Sequence, residues 1–289
     1  MASHSAIRRS LTFTALCTAM LLGACSSTPT EPEGSPRKET LQVLTQDLQL
    51  LTVNAGQPRK VLTRQTLKGL PAGEQLVGID YRVARGVLYT LSRNGQIYTV
   101  NTATGQLTPV GTPAVKLDAG PFGFDFNPAA DRIRVVSASG ANLRLHPDTG
   151  ALAATDPALA YAPGDTQAGQ APQVVAAGYT YNKKDDKLTT NYAIDRRLGT
   201  LVTQGSVEGR SPVVSPNTGQ LFTVGALGTG PLQDASLDIA DVSGAAFAAV
   251  RTTAQPSTRL YLVDLSSGQA QWLGTVGDGA PLIGMAIEP

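Results

Sequence analysis

The sequence predicts an all-β protein, specifically a β-propeller with five four-stranded blades. Two observations carry this prediction. A short phrase of the form apolar–Gly–apolar–Asp–apolar recurs about once every 50 residues, the spacing typical of propeller blades. The stretches between its copies are short runs of alternating apolar and polar residues, separated by Gly, Pro, Asn and Asp, which is the pattern of antiparallel strands joined by tight turns.

The recurring phrase is expected to form the innermost strand of each blade. Its clearest copies are residues 77–82 and 122–127, and looser copies occupy residues 177–182, 236–239 and 283–287. One position of the phrase is filled in turn by Asp80, Asp125, Thr180, Asp238 and Ala286. A small residue stands two positions earlier in most copies, which suits inner strands that crowd around an axis.

Hairpin signals lie between the copies of the phrase. Asn94-Gly95 separates two alternating runs at 87–91 and 96–100, and an Asn-Gly pair between such runs is a strong hairpin signal. A second repeated turn ends on glycine, where a positive φ is needed and glycine adopts it at little cost. Its copies end at Gly105, Gly150, Gly219 and Gly268.

These pieces assemble into four complete blades and two fragments. The complete units span residues 75–112, 121–157, 173–227 and 236–277. The beginning of the domain supplies three strands at 41–45, 49–53 and 60–67, and its end supplies an inner strand at 282–287. We expect the C-terminal inner strand to pair with the N-terminal strands, which makes a fifth blade and closes the ring without open edges.

The beginning of the chain predicts export and lipid anchoring. Residues 1–24 contain Arg8 and Arg9 followed by an apolar stretch too short to span a membrane, as in a signal peptide. Small residues and then Cys25 follow, which predicts a lipoprotein signal with Cys25 as the lipidated residue; the alternative is an ordinary secretory signal. Residues 25–40 are rich in Ser, Thr, Pro and Glu and are expected to form a disordered tether, so that residues 41–289 form the propeller.

Charge and cysteine content narrow the location and the partners. The chain has 23 basic and 22 acidic side chains, a balance that gives no case for nucleic-acid binding. Its two cysteines are Cys17 in the predicted signal and Cys25, so the propeller would contain none. We expect a cell-envelope protein attached to the membrane by its lipid. Ser26 after the cysteine favours the outer membrane, facing the periplasm, if the host is Gram-negative.

Several stretches resemble a known bacterial family, domain of unknown function 4394. Residues 123–137 and 142–150 carry its central motif, and residues 76–82 and 201–204 are also similar. The resemblance covers residues 41–289 and implies a propeller-like exported domain. It assigns no activity and supplies no catalytic residues. The chain departs from the family pattern at residues 182–187, which are unusually charged.

Asp80, Asp125 and Asp238 are the strongest candidates for a site, because equivalent inner-strand positions converge near the axis of a propeller. Three carboxylates could hold Ca²⁺, which prefers six to eight oxygen ligands. They could instead act as acid, base and nucleophile on a glycoside. The structural alternative is that each aspartate caps backbone donors or pairs with an arginine, and so joins adjacent blades.

Arginines form a second candidate group. Arg132 and Arg134 share one face of a predicted strand, and Arg144 lies on the next strand. Two neighbouring guanidinium groups could bind a carboxylate or phosphate. Alternatively they pair with nearby acids, for which Asp125 and Asp131 are the expected partners.

No nucleophile elbow, phosphate-binding loop or metalloprotease motif is found in the sequence. We therefore expect a non-enzymatic propeller that binds an envelope protein or a glycan. A glycoside hydrolase or lactonase-like hydrolase using the inner aspartates is the alternative. The sequence indicates no cofactor other than the Ca²⁺ that these aspartates could hold.

Overall fold

The computed structural model describes residues 1–2 and 30–289, and the architecture below concerns residues 31–289. The predicted signal peptide, Cys25 and the first part of the predicted tether lie outside the described residues. Within the described part, no helix is both long and apolar enough to cross a membrane.

Five sheets, antiparallel except for one short parallel pair, form the five blades of a propeller, which confirms the predicted fold. The strands are β1 (Thr40–Thr45), β2 (Gln49–Asn54), β3 (Gln57–Thr66), β4 (Leu76–Arg82), β5 (Val87–Ser92), β6 (Ile97–Val100), β7 (Leu107–Val110), β8 (Phe122–Asn127), β9 (Arg132–Ser137), β10 (Asn142–Leu145), β11 (Leu152–Thr155), β12 (Ala160–Tyr161), β13 (Val174–Tyr179), β14 (Asn191–Asp195), β15 (Thr200–Gln204), β16 (Gln220–Ala226), β17 (Leu232–Ile239), β18 (Ala246–Thr252), β19 (Arg259–Val263), β20 (Ala270–Thr275) and β21 (Leu282–Ile287). Two single-turn 3-10 helices lie at Val83–Arg85 and Pro216–Thr218.

The ring closes as the sequence predicts. β21 pairs antiparallel with β1, with Leu41 opposite Ile287 and Gln42 opposite Ala286. Blade 5 is therefore built from both ends of the domain, in the order β21-β1-β2-β3. Blades 1, 2 and 4 follow in chain order as β4–β7, β8–β11 and β17–β20. The inner strands β4, β8, β13, β17 and β21 contact one another in turn around the axis.

Blade 3 is the irregular one, and it has a strand that the sequence did not reveal. Its four antiparallel strands are β13–β16, and the short β12 pairs parallel with β16 at the outer edge. Tyr161 on β12 is buried. A two-residue strand has too little pattern to be recognised in a sequence, and here it covers an edge that would otherwise be open.

Apolar side chains fill the spaces between neighbouring blades. Each space has its own group of buried residues, and the group between blades 1 and 2 contains Tyr89, Phe124 and Phe126. Phe126 contacts both other rings edge to face, with centroids 5.2 Å and 6.4 Å apart. The alternation along each strand sends side chains to both faces of a blade, and the inner strands are buried on both faces, as in β4, whose seven residues are all buried.

Inner strands approach one another closely at their glycines. A Cβ added to Gly123 would lie 2.7 Å from the backbone nitrogen of Ala177, and one added to Gly284 would lie 2.9 Å from that of Ile79. Both contacts are to backbone atoms of the neighbouring blade, which cannot move aside as a side chain can. The small residue of the repeated phrase is therefore required by backbone approach around the axis.

Residues 31–39, which the sequence places in the tether, lie against blades 4 and 5. The backbone nitrogen of Arg37 donates to Asn54 on β2 at 2.8 Å, and its guanidinium group lies 5.4 Å from the ring centroid of Phe247 on β18. The Ser243 hydroxyl donates to the Glu39 carboxylate at 2.8 Å. This segment has little apolar surface to bury, so polar contacts rather than a hydrophobic pattern hold it, and composition gives no sign of them.

Candidate functional site

The structure brings Asp80, Asp125 and Asp238 together on the propeller axis. They lie on the inner strands β4, β8 and β17, and their exposed fractions are only 6 %, 3 % and 7 %. One carboxylate oxygen from each residue lies within 4.8 Å of the corresponding oxygens of the other two. Three acidic groups from three different blades therefore form one cluster, which we call the aspartate cluster.

Each aspartate of the cluster accepts a hydrogen bond from the inner strand of the next blade. The donors are backbone N–H groups, and the acceptor is Oδ2 in every case. The bonds run from Phe126 N to Asp80 at 2.7 Å, from Tyr179 N to Asp125 at 2.8 Å and from Ile287 N to Asp238 at 2.6 Å. The carboxylates thus join β4 to β8, β8 to β13 and β17 to β21. A buried backbone donor without a partner would be costly, so these bonds are structurally important.

The same bonds correct the predicted alignment of blade 3. The donor to Asp80 is the N–H of Phe126 in blade 2. Asp125 is the blade 2 residue equivalent to Asp80, so the donor lies one position after the equivalent residue. Asp125 accepts from Tyr179, which makes Gly178 its equivalent in blade 3. The prediction that Thr180 occupies this position was wrong by two residues. A shift of two keeps the same face of a strand, so the apolar pattern could not reveal the error.

The three carboxylates differ in how many of their oxygens are engaged. Oδ1 of Asp80 accepts from its neighbour Tyr81 N at 2.8 Å, and Oδ1 of Asp238 accepts from Ile239 N at 2.6 Å. Oδ1 of Asp125 accepts from no N–H group of the described residues, and the Asp125 carboxyl group interacts with that of Asp80. Asp125 therefore has the most acceptor capacity left for another group.

Basic side chains do not neutralise the cluster. Within residues 30–289, no Lys or Arg forms an ion pair with any of the three aspartates. The nearby Arg82 is buried but pairs with Asp131 and Asp148 instead. Of the two structural alternatives that the sequence left open, backbone capping is present here and pairing with arginine is not.

Burial and mutual repulsion make the cluster hard to ionise. Burial is the main cause that raises the pKa of Asp80, and the charge of Asp238 adds to it. Burial likewise raises the pKa of Asp125, together with the charges of Asp80 and Asp238. Burial raises the pKa of Asp238 to about 7, from an ordinary 3.8. At neutral pH the cluster needs either bound protons or a bound cation.

A cavity of about 220 Å³, here called the basin, opens over the aspartate cluster. Asp131, Asp186 and Asp241 line it together with the cluster, and Tyr181 lies beside them. Its wall is thus strongly acidic. The single basic residue of the lining is Arg82, and its charge is already paired with Asp131 and Asp148. The basin is therefore suited to a cation or to a positively charged group of a larger ligand.

The three candidate arginines do not form an anion site. Arg134 is only 1 % exposed and donates to Asp156 at 2.7 Å and to Asn142 at 2.6 Å. Arg144 binds the same Asp156 with two hydrogen bonds of 2.9 Å. Arg132 donates at 2.8 Å to the backbone carbonyl of Asp131. Arg134 thus pairs with an acid, but with Asp156 rather than with Asp125 or Asp131 as expected.

Sequence reasoning missed Arg82 and Asp156. Arg82 ends β4, and its partners Asp131 and Asp148 lie in blade 2, 49 and 66 residues away. The repeated phrase contains the one available signal, since Arg82 stands two residues after Asp80 and so lies on the same face of the strand. Pairing over such distances depends on the packing of whole blades, which the local pattern does not specify.

The fold and the axial cluster together define a five-bladed β-propeller with an acidic site on its axis. Residues 49–286 match the family described as a domain of unknown function (DUF4394), and the chain belongs to this family. The resemblance found in the sequence is thereby confirmed.

Two solved structures are similar to this chain at low sequence identity. One is titled as the crystal structure of a nidogen/laminin complex, with 12 % identity, a TM-score of 0.48 and coverage of 87 % of this chain and 98 % of that chain. Another is a structural genomics protein of unknown function from Bacteroides thetaiotaomicron, with 11 % identity, a TM-score of 0.47 and coverage of 78 % and 56 %. No curated protein matches the sequence.

The raised pKa of Asp238 predicts how stability depends on pH when divalent ions are removed by a chelator. The folded protein binds a proton at this site more tightly than the unfolded chain does. Its contribution to the free energy of unfolding is therefore complete below about pH 4 and is lost as the pH rises through about 7. We expect Asp238→Asn to flatten this decline, measured by urea denaturation across that range.

The exposed Asp264→Asn variant is the matched control and should leave the decline unchanged. A free energy of unfolding whose pH dependence is the same in the wild type and in Asp238→Asn would contradict the account of the cluster.

Proposed function

We propose that the protein is an envelope-anchored lipoprotein whose propeller is a non-enzymatic binding module, and that the aspartate cluster binds a cation. One observation supports the cation most directly. Three buried carboxylates converge within 4.8 Å, and no basic side chain of the described residues pairs with them. Buried charges are normally paired or coordinate metals, and a cation in the basin would supply the missing charge.

Ca²⁺ fits the chemistry of these groups best. It takes oxygen ligands, tolerates irregular geometry and binds carboxylates through one or both oxygens. Asp80, Asp125 and Asp238 offer one oxygen each at compatible mutual distances. Their hydrogen bonds to backbone N–H groups hold the carboxylates in place before an ion arrives. Asp241, which also lines the basin, adds negative charge close to Asp238.

The spacing of the carboxylates favours binding over glycoside hydrolysis. Retaining and inverting glycosidases hold their two carboxyl groups about 5–10 Å apart, so that the sugar or a water fits between them. Here one oxygen of each carboxylate lies within 4.8 Å of the others, which is just below the lower end of that range, and the basin of about 220 Å³ is smaller than common small-molecule clefts. The raised pKa of Asp238, which suits a general acid, is the feature that favours the hydrolase alternative.

The proposed partner is an envelope protein or a glycan that meets the loops around the basin. Tyr181 lines the basin and is 40 % exposed, and Val242 follows the basin residue Asp241 and is 65 % exposed. Exposed aromatic and apolar side chains beside an acidic opening suit a partner that presents a basic group within an apolar or sugar surface. When the cluster holds a cation, an acidic group of the partner could also bind to that cation.

The anchor has its own test. Lipid attached to Cys25 should keep the protein in the membrane fraction of its host, and labelled palmitate should be incorporated into the chain. The Cys25→Ser variant should lose both properties. Retention of the label in Cys25→Ser would contradict the proposed anchor.

Cation binding is tested by thermal unfolding of residues 26–289. A ligand at 100 times its dissociation constant adds about 2.7 kcal/mol to the free energy of unfolding, so Ca²⁺ should raise the melting temperature by about 5–10 °C relative to chelator. The Asp80→Asn, Asp125→Asn double variant should show no such rise.

The double variant Asp264→Asn, Asp278→Asn is a suitable control, since both residues are exposed and lie outside the basin. It should respond to Ca²⁺ like the wild type. A wild type that melts at the same temperature with Ca²⁺ and with chelator would show that the aspartates serve only to join the blades.

A further inference from the structure

A larger cavity, of about 680 Å³, opens at the other end of the inner strands, and we call it the funnel. Its wall comes from the beginnings of inner strands, with Gln75 and Asp234, and from the ends of the second strands β5 and β18, with Arg93 and Arg251. We propose that the funnel is a second ligand site, distinct from the aspartate cluster, and that it binds a sugar acid whose carboxylate pairs with Arg93. This site shares no lining residue with the basin.

The backbone of Arg93 is held by two hydrogen bonds, while its side chain forms no hydrogen bond or ion pair with the described residues. Its N–H donates to the Gln75 carbonyl and its own carbonyl accepts from Leu117 N, both at 2.8 Å. The guanidinium group forms no ion pair with a described residue, and its buried Nε has no hydrogen-bond partner there. The two Nη groups of Arg93 also form no hydrogen bond with the described residues. Unlike the closed-off Nε, they remain accessible, and they can donate together to a planar carboxylate in the funnel.

The other charged groups of the funnel already have partners. Nε of Arg251 donates to both carboxylate oxygens of Asp234, at 3.0 Å and 3.1 Å. Glu74 accepts from the side chain and the backbone nitrogen of Asn94. The carboxylates of Glu74 and Asp234 line the funnel beside the two arginines, so its formal charge is balanced.

This balance of charge selects a ligand with a single negative charge. A carboxylate matches the planar guanidinium fork of Arg93 and carries one charge. A doubly charged phosphate would be repelled by Glu74 and Asp234, which lie in the same wall. The funnel therefore favours a monocarboxylate over a phosphate.

The uncharged polar residues of the funnel wall indicate the chemistry of the part of the ligand beyond its carboxylate. Gln46, Gln75 and Gln233 line the funnel and are exposed, and their side-chain amides form no hydrogen bonds within the described residues. Amides offer both donors and acceptors, which suits the hydroxyl groups of a sugar. A volume of about 680 Å³ is within the range of small-molecule sites. A carboxylate and hydroxyl groups together define a sugar acid.

The test is titration of ¹⁵N-labelled residues 26–289, which contain the whole closed ring, with D-glucuronate, acetate, D-glucose and inorganic phosphate. Glucuronate should shift the Nε–Hε resonance of Arg93, and acetate should shift it more weakly. Glucose and phosphate should each bind at least about tenfold more weakly than glucuronate, because the pairing needs one carboxylate. Arg93→Gln should weaken glucuronate binding at least about tenfold, and Arg93→Lys should lie between Arg93→Gln and the wild type.

Arg85→Gln is the matched control, since Arg85 is 58 % exposed, immediately follows the basin residue Ala84 and does not line the funnel. It should bind glucuronate like the wild type. Equal affinity in Arg93→Gln, tighter binding of phosphate or glucose, or no shift with either carboxylate would overturn the proposal. The response of the melting temperature to Ca²⁺ reports on the aspartate cluster alone, so failure at one site is distinguishable from failure at the other.

Discussion

The rest of this structure depends on one interaction, the hydrogen bond that an inner-strand aspartate accepts from a backbone N–H of the next blade. The five sheets are separate, so no β-ladder connects one inner strand to the next. Asp80, Asp125 and Asp238 supply that connection at three of the five junctions. Because the connection is made at the axis, the three carboxylates must be buried and must lie close together. The acidic cluster is therefore a consequence of how the blades are joined, and any cation bound there would stabilise the same junctions.

The two ends of the axis have opposite characters, and the inner strands keep them apart. Gly78, Gly123 and Gly284 line the narrow middle, where the cavity is only about 10 Å³. On one side the basin gathers carboxylates, and on the other the funnel has balanced charges with one unpaired guanidinium group. The ring therefore has two chemically different cavities, one at each end of its axis.

The sequence predicted the features that depend on period and repetition. The recurring phrase revealed the blades, their closure through β21 and β1, and the inner-strand positions of the three aspartates. Features that depend on contacts between distant residues could not be predicted. Arg134 pairs with Asp156 rather than with Asp131, which is nearer in the sequence. The two-residue strand β12 is too short to show a pattern of apolar and polar residues. The predicted position of Thr180 in the repeated phrase of blade 3 was wrong for a related reason. Gly178 and Thr180 lie on the same face of the strand, and only the hydrogen bond from Tyr179 N to Asp125 distinguishes them.

The most direct test of this account is amide hydrogen exchange at Phe126, Tyr179 and Ile287. These amides donate to the aspartate cluster and should be among the most protected in the protein, since they exchange only when neighbouring blades separate. Replacing the acceptor in Asp80→Ala should accelerate exchange at Phe126 and leave Tyr179 and Ile287 much less affected. Rapid exchange at all three amides in the wild type, or unchanged protection of Phe126 in Asp80→Ala, would contradict the claim that these carboxylates join the blades.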